Sequence, residues 1–206
     1  MRNTITVLIL ASAAAALAAP ALAAGDDRAG VTVGPYYHLS IPLGGEAAGS
    51  SWAGGGARCR VEWSDAFAIS AGFAYDRHEF GESLTTEYVP GKVVERQVLS
   101  FRGGAIYNLP LAFTYPYAGG GVVLAREKTY FRAGDLEPRT LFHPGLYGEV
   151  GTYVPLVGPL VVDAGPEFVV LFGKLGGDYD PDERRYEDTG GAAVYFGFKA
   201  GVGIYF

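Results

Sequence analysis

A histidine and a serine close together in the sequence have side chains that could carry out hydrolytic chemistry. His38 and Ser40 are separated by one residue. In an extended chain, residues i and i+2 lie on the same face, so this imidazole and hydroxyl would be neighbours. A serine activated by a histidine base is the arrangement of a nucleophilic hydrolase. Whether the pair could carry out hydrolysis depends on what this face of the extended segment contacts. The arrangement of the neighbouring segments determines that contact.

A second group of candidate residues suits metal binding. Asp178, Asp180 and Asp182 alternate along the chain and are followed by Glu183. Ca²⁺ prefers several oxygen ligands, so the three carboxylates are a candidate divalent-cation site. An EF-hand loop would need Gly at position 183 and Glu at position 189, where this chain has Glu183 and Thr189. A solvated acidic loop is the alternative interpretation.

Composition excludes several classes of protein. The chain has 206 residues and a formal charge of −6, without the basic stripe that nucleic-acid binding requires. Its single cysteine, Cys59, excludes an internal disulfide and a cysteine-based zinc site. Aromatic residues make up 14% and charged residues 18%, which argues against disorder. The 31 glycines would weaken the helices of a bundle. No motif calls for a cofactor, and we predict none.

The first 23 residues have the form of a secretory signal peptide. Arg2 precedes an apolar, alanine-rich run over 4–19, and Ala21-Leu22-Ala23 matches a cleavage site. We therefore predict cleavage after Ala23 and a single domain over 24–206. No later apolar run reaches 18 residues without Gly, Pro or charge, so no transmembrane helix is predicted.

The rest of the chain alternates between apolar and small or polar residues with a period of two, which is typical of β-strands. Eight such segments can be read, each near the 9–11 residues with which a tilted strand crosses a bilayer. They are 31–41, 53–63, 67–76, 97–109, 113–126, 145–154, 160–172 and 192–206. Short connections alternate with long polar ones. This pattern predicts an all-β fold, an eight-stranded antiparallel up-and-down transmembrane β-barrel.

The charged residues decide which face points outward. A soluble eight-stranded barrel has apolar residues inside, whereas a membrane barrel has them outside. The polar faces carry five cations and five anions, a balance that a narrow closed lumen needs because a buried charge without a partner is costly. The predicted lumen network is Arg58, Arg60, Glu62, Asp76, Arg102, Arg126, Glu149, Asp163, Glu167 and Lys199. In the fifth segment, 113–126, assigning the polar face to the lumen puts Arg126 inside and Tyr117, Val123 and Ala125 outside.

Aromatic residues accumulate on the apolar face beside the short turns, which predicts an interfacial aromatic girdle. They are Trp63, Phe67, Tyr107, Phe113, Tyr115 and Phe206.

The whole chain resembles the small bacterial outer-membrane β-barrel proteins of the OmpX- and OmpW-like group. Its last residues, 199–206, are similar to the assembly signal of that group, with Lys199, Gly201, Ile204 and Phe206 at the signal positions. The glycine-rich stretch 115–121 is similar to fifth strands in the group. The resemblance implies that the barrel assembly machinery reads the last strand, and that the protein is an integral protein of the bacterial outer membrane.

Taken together, these patterns predict a non-enzymatic, monomeric barrel with a sealed polar lumen. Its role would be structural, or would consist of surface interactions through four extracellular loops, with outer-membrane lipid and lipopolysaccharide as partners. Two alternatives stay open. One is passage of small hydrophobic molecules, as in the OmpW-like group, for which Val98, Val122, Leu124, Val169 and Leu171 would line the upper lumen. The other is a lipid A-modifying enzyme, which would need His38 and Ser40 to face lipid.

Overall fold

The computed structural model describes the strands of the chain and some of the connections between them. The described residues are 30–43, 51–79, 93–109, 111, 114–131, 138–173, 178–180, 185–187 and 191–206. The predicted signal peptide, residues 1–23, lies outside them and stays a prediction. None of the described residues forms a helix that could span a membrane.

Eight long strands form the body of the molecule, as the alternation predicted. They are β1 (Val31–Pro42), β2 (Trp52–Glu62), β3 (Phe67–Glu79), β4 (Val93–Asn108), β5 (Tyr115–Phe131), β6 (Arg139–Pro155), β7 (Leu160–Phe172) and β10 (Ala192–Tyr205). Two three-residue strands, β8 (Asp178–Asp180) and β9 (Arg185–Glu187), pair with each other between β7 and β10. The predicted eight-stranded fold is thus confirmed.

The sheet closes on itself in the order β1-β10-β7-β6-β5-β4-β3-β2, and every neighbouring pair is antiparallel. Closure occurs where β1 pairs with β10, for example Thr32 with Tyr205 and His38 with Lys199. A closed barrel leaves no edge strand, so each of the eight barrel strands is paired on both sides along the body of the barrel. The short connections that follow β2, β4 and β6 lie at the end of the barrel where β1 begins and β10 ends.

Alternation along each strand sorts the side chains between lumen and exterior. On β10, Phe196, Phe198 and Val202 are exposed on the outside, while Tyr195 and Lys199 are buried inside. On the other strands, too, the alternate residues predicted to face the lumen do so, with the exception of one strand. On β5 the prediction was wrong by one residue: Tyr117, Val123 and Ala125 are buried in the lumen.

The reason for the inverted phase lies in the sequence of β5 itself. Three consecutive glycines, Gly119–Gly121, and the continuous apolar run 122–125 give no alternating signal. Tertiary contacts determine which face of β5 points into the lumen. One of them is the hydrogen bond that the hydroxyl of Tyr117 donates to Asp163 Oδ1 at 2.6 Å inside the barrel. Val122 and Leu124, which we expected to line the lumen, are 63% and 49% exposed on the outer face.

Candidate functional site: the barrel lumen

The centre of the lumen is a layer of ion pairs around Glu149. The Arg58 guanidinium donates to Glu149 Oε1 at 2.6 Å and to Asp163 Oδ2 at 3.0 Å. The Lys199 ammonium pairs with the other oxygen of Glu149. The layer therefore joins β2, β6, β7 and β10 across the barrel. All these charges are buried or nearly so, which makes their mutual pairing essential.

A second layer, built on His38, lies next to the first on the side away from the short turns. His38 is fully buried, its Nε2 lies 2.6 Å from Asp76 Oδ1, and its Nδ1 lies 3.2 Å from Glu167 Oε1. Arg102 donates to the second oxygen of Glu167 at 2.5 Å. The facing residue of β2 is Gly54, where a Cβ would lie 2.4 Å from Asp76 Oδ1 and 2.7 Å from His38 Nε2. Only glycine leaves room for this histidine–carboxylate pair.

Polar contacts also cross the lumen near the short turns. The guanidinium of Arg60 donates to Asn108 Oδ1 at 2.5 Å and lies 3.5 Å from Glu62 Oε1. The same guanidinium stacks over the Tyr153 ring, with 4.7 Å from Cζ to the ring centroid. Cations over aromatic faces are stabilised by the ring quadrupole, so tyrosines serve here as additional partners for the buried cations.

At the opposite end, a cluster that the sequence analysis missed surrounds Glu127. The Nε2 atom of His143 lies 3.0 Å from Glu127 Oε2, Thr129 donates to Oε1 at 2.6 Å, and Arg96 Nε lies 3.3 Å from Oε1. These residues lie just beyond the predicted ends of three segments, at 97, 126 and 145. Extending the segments on β4 and β6 would have placed Arg96 and His143 in the lumen. Glu127 and Thr129 would still have been assigned to the outside, because the predicted phase of β5 was inverted.

Between the His38 layer and the Glu127 cluster, the lumen is apolar. A small cavity lies there, and its floor carries Ser40, Asp76 and Arg102. Its apolar walls are Trp52, Val98, Val123, Ala125, Val169, Leu171 and Tyr195. Among the described residues, Ser100 Oγ and Tyr195 Oη, which border this cavity, have no hydrogen-bond partner. We call this cavity the apolar chamber.

Nine of the ten residues predicted for the lumen network point inward, and Arg126 does not. Arg126 is exposed on the outer face of β5, between Leu99 of β4 and Phe142 of β6. Its inward neighbour in sequence, Glu127, occupies the lumen instead. The error follows from the inverted phase of β5, and it takes one cation out of the predicted balance. His38 and Arg96 supply further nitrogen partners for the lumen carboxylates.

Of the two candidate reactive groups, the structure shows the surroundings of the histidine–serine pair. His38 and Ser40 both face the lumen, away from lipid, and both ring nitrogens of His38 contact carboxylates. No ring nitrogen is left to take a proton from Ser40. The carboxylates of Asp178, Asp180 and Asp182 lie outside the described side chains, so the cation site there stays a prediction. Within the described part of the chain, no group of three or more His, Cys, Asp or Glu residues could hold a metal ion.

The exterior of the barrel is a continuous apolar surface. Large apolar side chains project outward from every barrel strand except β2; they include Leu39, Ile69, Phe101, Leu124, Leu146, Phe168 and Phe198. Trp63, Phe67, Tyr107 and Phe206 are exposed beside the short turns, whereas Tyr115 packs into the end of the lumen against Tyr153. Phe113 lies outside the described residues. An apolar outside flanked by aromatic residues, with ion pairs inside, is the arrangement of a transmembrane barrel.

The fold, the apolar exterior and the charged lumen together define the chain as an eight-stranded transmembrane β-barrel. No protein-family model matches the sequence, and no curated protein matches it either. Solved structures do match its fold, and the three described next are 13–15% identical to it in sequence.

Neisserial surface protein A (NspA) has a TM-score of 0.57 at 14% identity, over 86% of this chain and 97% of that one. The outer membrane protein OprG from Pseudomonas aeruginosa has a TM-score of 0.57 at 13% identity, over 88% and 98%. Ail, the attachment invasion locus protein of Yersinia pestis, solved in complex with a heparin analogue, has a TM-score of 0.52 at 15% identity, over 87% and 98%. At such identities the likeness concerns the fold.

Proposed function

We propose that the protein is a non-enzymatic, sealed outer-membrane barrel whose role is structural or lies in contacts made at the cell surface. The observation that carries this proposal is the set of ion-pair layers across the lumen. Arg58, Arg102 and Lys199 reach from three different strands to carboxylates on other strands. An eight-stranded barrel is only wide enough for its own side chains, so these layers leave no continuous aqueous path.

Conductance measurements test the sealed lumen. The refolded protein, incorporated into planar lipid bilayers, should produce no stepwise current, because paired and packed side chains occupy the cross-section. Proteoliposomes should likewise not swell in solutions of small sugars. A general porin reconstituted in parallel provides the positive control. Regular conductance steps from the purified protein would contradict the proposal.

A second candidate function, binding and passage of small hydrophobic molecules, is supported by the apolar chamber. Its walls are apolar, while the unpartnered hydroxyls of Ser100 and Tyr195 would suit one polar atom of a ligand. A pocket with apolar walls and a few polar groups is the usual form of a small-molecule site. Such a ligand would stop at the His38 layer, so passage would require an exit through the barrel wall.

Tryptophan fluorescence tests the chamber. The chain has two tryptophans, Trp52 in the chamber wall and Trp63 on the exterior. In a Trp63→Phe background, n-octanol should change Trp52 emission saturably. Octane, which cannot use the two hydroxyls, should have a weaker effect.

Matched variants on β5 provide the control for the fluorescence experiment. Ala125 is fully buried in the chamber wall, and its neighbour Leu124 points outward. Ala125→Phe should fill the chamber and abolish the response, whereas Leu124→Phe should preserve it. An identical response in both variants would show that octanol acts through the detergent or lipid, and the second candidate would be rejected.

A further inference from the structure

A cationic surface on the outside of the barrel points to a lipid ligand. We propose that Arg77, Arg126 and Lys128 form a docking surface for the phosphate groups of lipid A, the phosphorylated glycolipid of the outer leaflet. The proposal rests on the placement of the barrel in the outer membrane. Arg77 and Arg126 are exposed on the outside of β3 and β5, and Lys128 shares the outward face of Arg126. We call these three residues the basic surface.

The strand register brings the three cations of the basic surface close together. Arg77 pairs with Gln97 on β4, and Gln97 pairs with Lys128 on β5, so these three outward residues form one row. Arg126 lies one outward position closer to the short turns, opposite Leu99 and Phe142. The three cations are therefore near neighbours, since adjacent strands are separated by about 4.8 Å and alternate residues by roughly 7 Å.

Counting from the aromatic girdle puts this row at the outer membrane interface. Arg77 follows Phe67 by ten residues on β3, and Gln97 precedes Tyr107 by ten residues on β4. About 9–11 residues of a tilted strand cross the apolar band of an outer membrane. The row therefore lies at the depth of the lipid headgroups, where the phosphates of lipid A are found.

Local contacts distinguish the three cations. Arg77 donates twice to Glu95, at 2.9 and 3.0 Å, so its charge is already offset by a carboxylate and the phosphate would be bound mainly by Arg126 and Lys128. The Lys128 ammonium lies 4.7 Å from the centroid of the Tyr130 ring. Arg126 stands between two apolar cross-strand neighbours, so a ligand reaching it would bring a phosphate to the guanidinium and acyl chains to the apolar surface around it.

The basic surface occupies one side of the barrel. Towards the same end of the barrel, the outward residues Ile41 on β1, Phe172 on β7 and Phe196 on β10 are apolar. A ring of cations would indicate general attraction to an anionic membrane. Among the described residues, the patch is confined to β3 and β5, which indicates instead a local docking position for one lipid.

Thermal unfolding in defined vesicles tests the proposal. The full mature chain is refolded in phosphatidylcholine vesicles, alone or with added lipid A or added phosphatidylglycerol, and the midpoint is read from the gel mobility shift. Lipid A should raise the wild-type midpoint by several degrees. Arg126→Gln combined with Lys128→Gln should remove most of that rise while leaving the midpoint in phosphatidylcholine unchanged. The single Arg126→Gln variant provides the same test if the double variant does not fold.

A matched variant controls for polarity at this depth. Ile41→Gln combined with Phe172→Gln adds two amides on the opposite side and should keep the full response to lipid A. The proposal is overturned if the double cation variant keeps the full response, or if phosphatidylglycerol raises the midpoint as much as lipid A does. Failure of the wild-type chain to insert into any of the vesicles would refute the outer-membrane placement itself.

Discussion

Replacing Glu149 with leucine should lower the free energy of unfolding by about 3–5 kcal/mol, the range for removing one partner of a buried ion pair. Glu149 accepts from Arg58 at 2.6 Å and pairs with Lys199 through its other oxygen. Arg58 would still have Asp163, but the Lys199 ammonium would lose the carboxylate that compensates its buried charge. Urea unfolding in detergent micelles, followed by the mobility shift between folded and unfolded barrel, measures the loss.

Two further variants make the Glu149 experiment specific. Glu95→Gln breaks the exposed pair with Arg77 on the barrel exterior and should cost less than about 1 kcal/mol, as surface ion pairs do. The double variant Glu149→Leu with Lys199→Leu removes both charges and should recover much of the loss, because an apolar pair can replace a buried ion pair. Equal stability of the wild type and Glu149→Leu would mean that the central layer does not assemble as described.

The second large effect concerns the lipid-facing surface. Phe101 points outward on β4, midway between Tyr107 of the girdle and Glu95, and pairs with Phe73 and Leu124. Phe101→Arg would place a cation near the middle of the bilayer, at a cost of about 2–4 kcal/mol. Unfolding of the variant in phospholipid vesicles, compared with the wild-type chain, measures this cost.

A control for Phe101→Arg lies on the same strand and the same face. Gln97 belongs to the row at the headgroup depth, so Gln97→Arg should cost no more than about 1 kcal/mol. The difference between the two positions reports the depth of each residue in the membrane. If both substitutions proved harmless, the exterior of β4 would not face lipid.

Local periodicity was sufficient to predict most of this architecture. Alternation with a period of two depends only on neighbouring residues, so the eight strands and the inward phase of Arg58, Glu149 and Lys199 can be read directly. The balance of charges indicated that these side chains had to meet in a closed space. Where the alternation was obscured by glycines and by a continuous apolar run, as in β5, the prediction was wrong and Arg126 was placed on the incorrect face.

Only the tertiary structure decided which charges pair and what lies between the pairs. His38 contacts Glu167 across a separation of 129 residues, and Arg58 contacts Asp163 across 105. Such contacts depend on how far each strand is staggered relative to the next when the barrel closes, which no local pattern encodes. The same stagger brings the alternate apolar residues of several strands to one height to form the apolar chamber. It also aligns Arg77 with Lys128 on the outside.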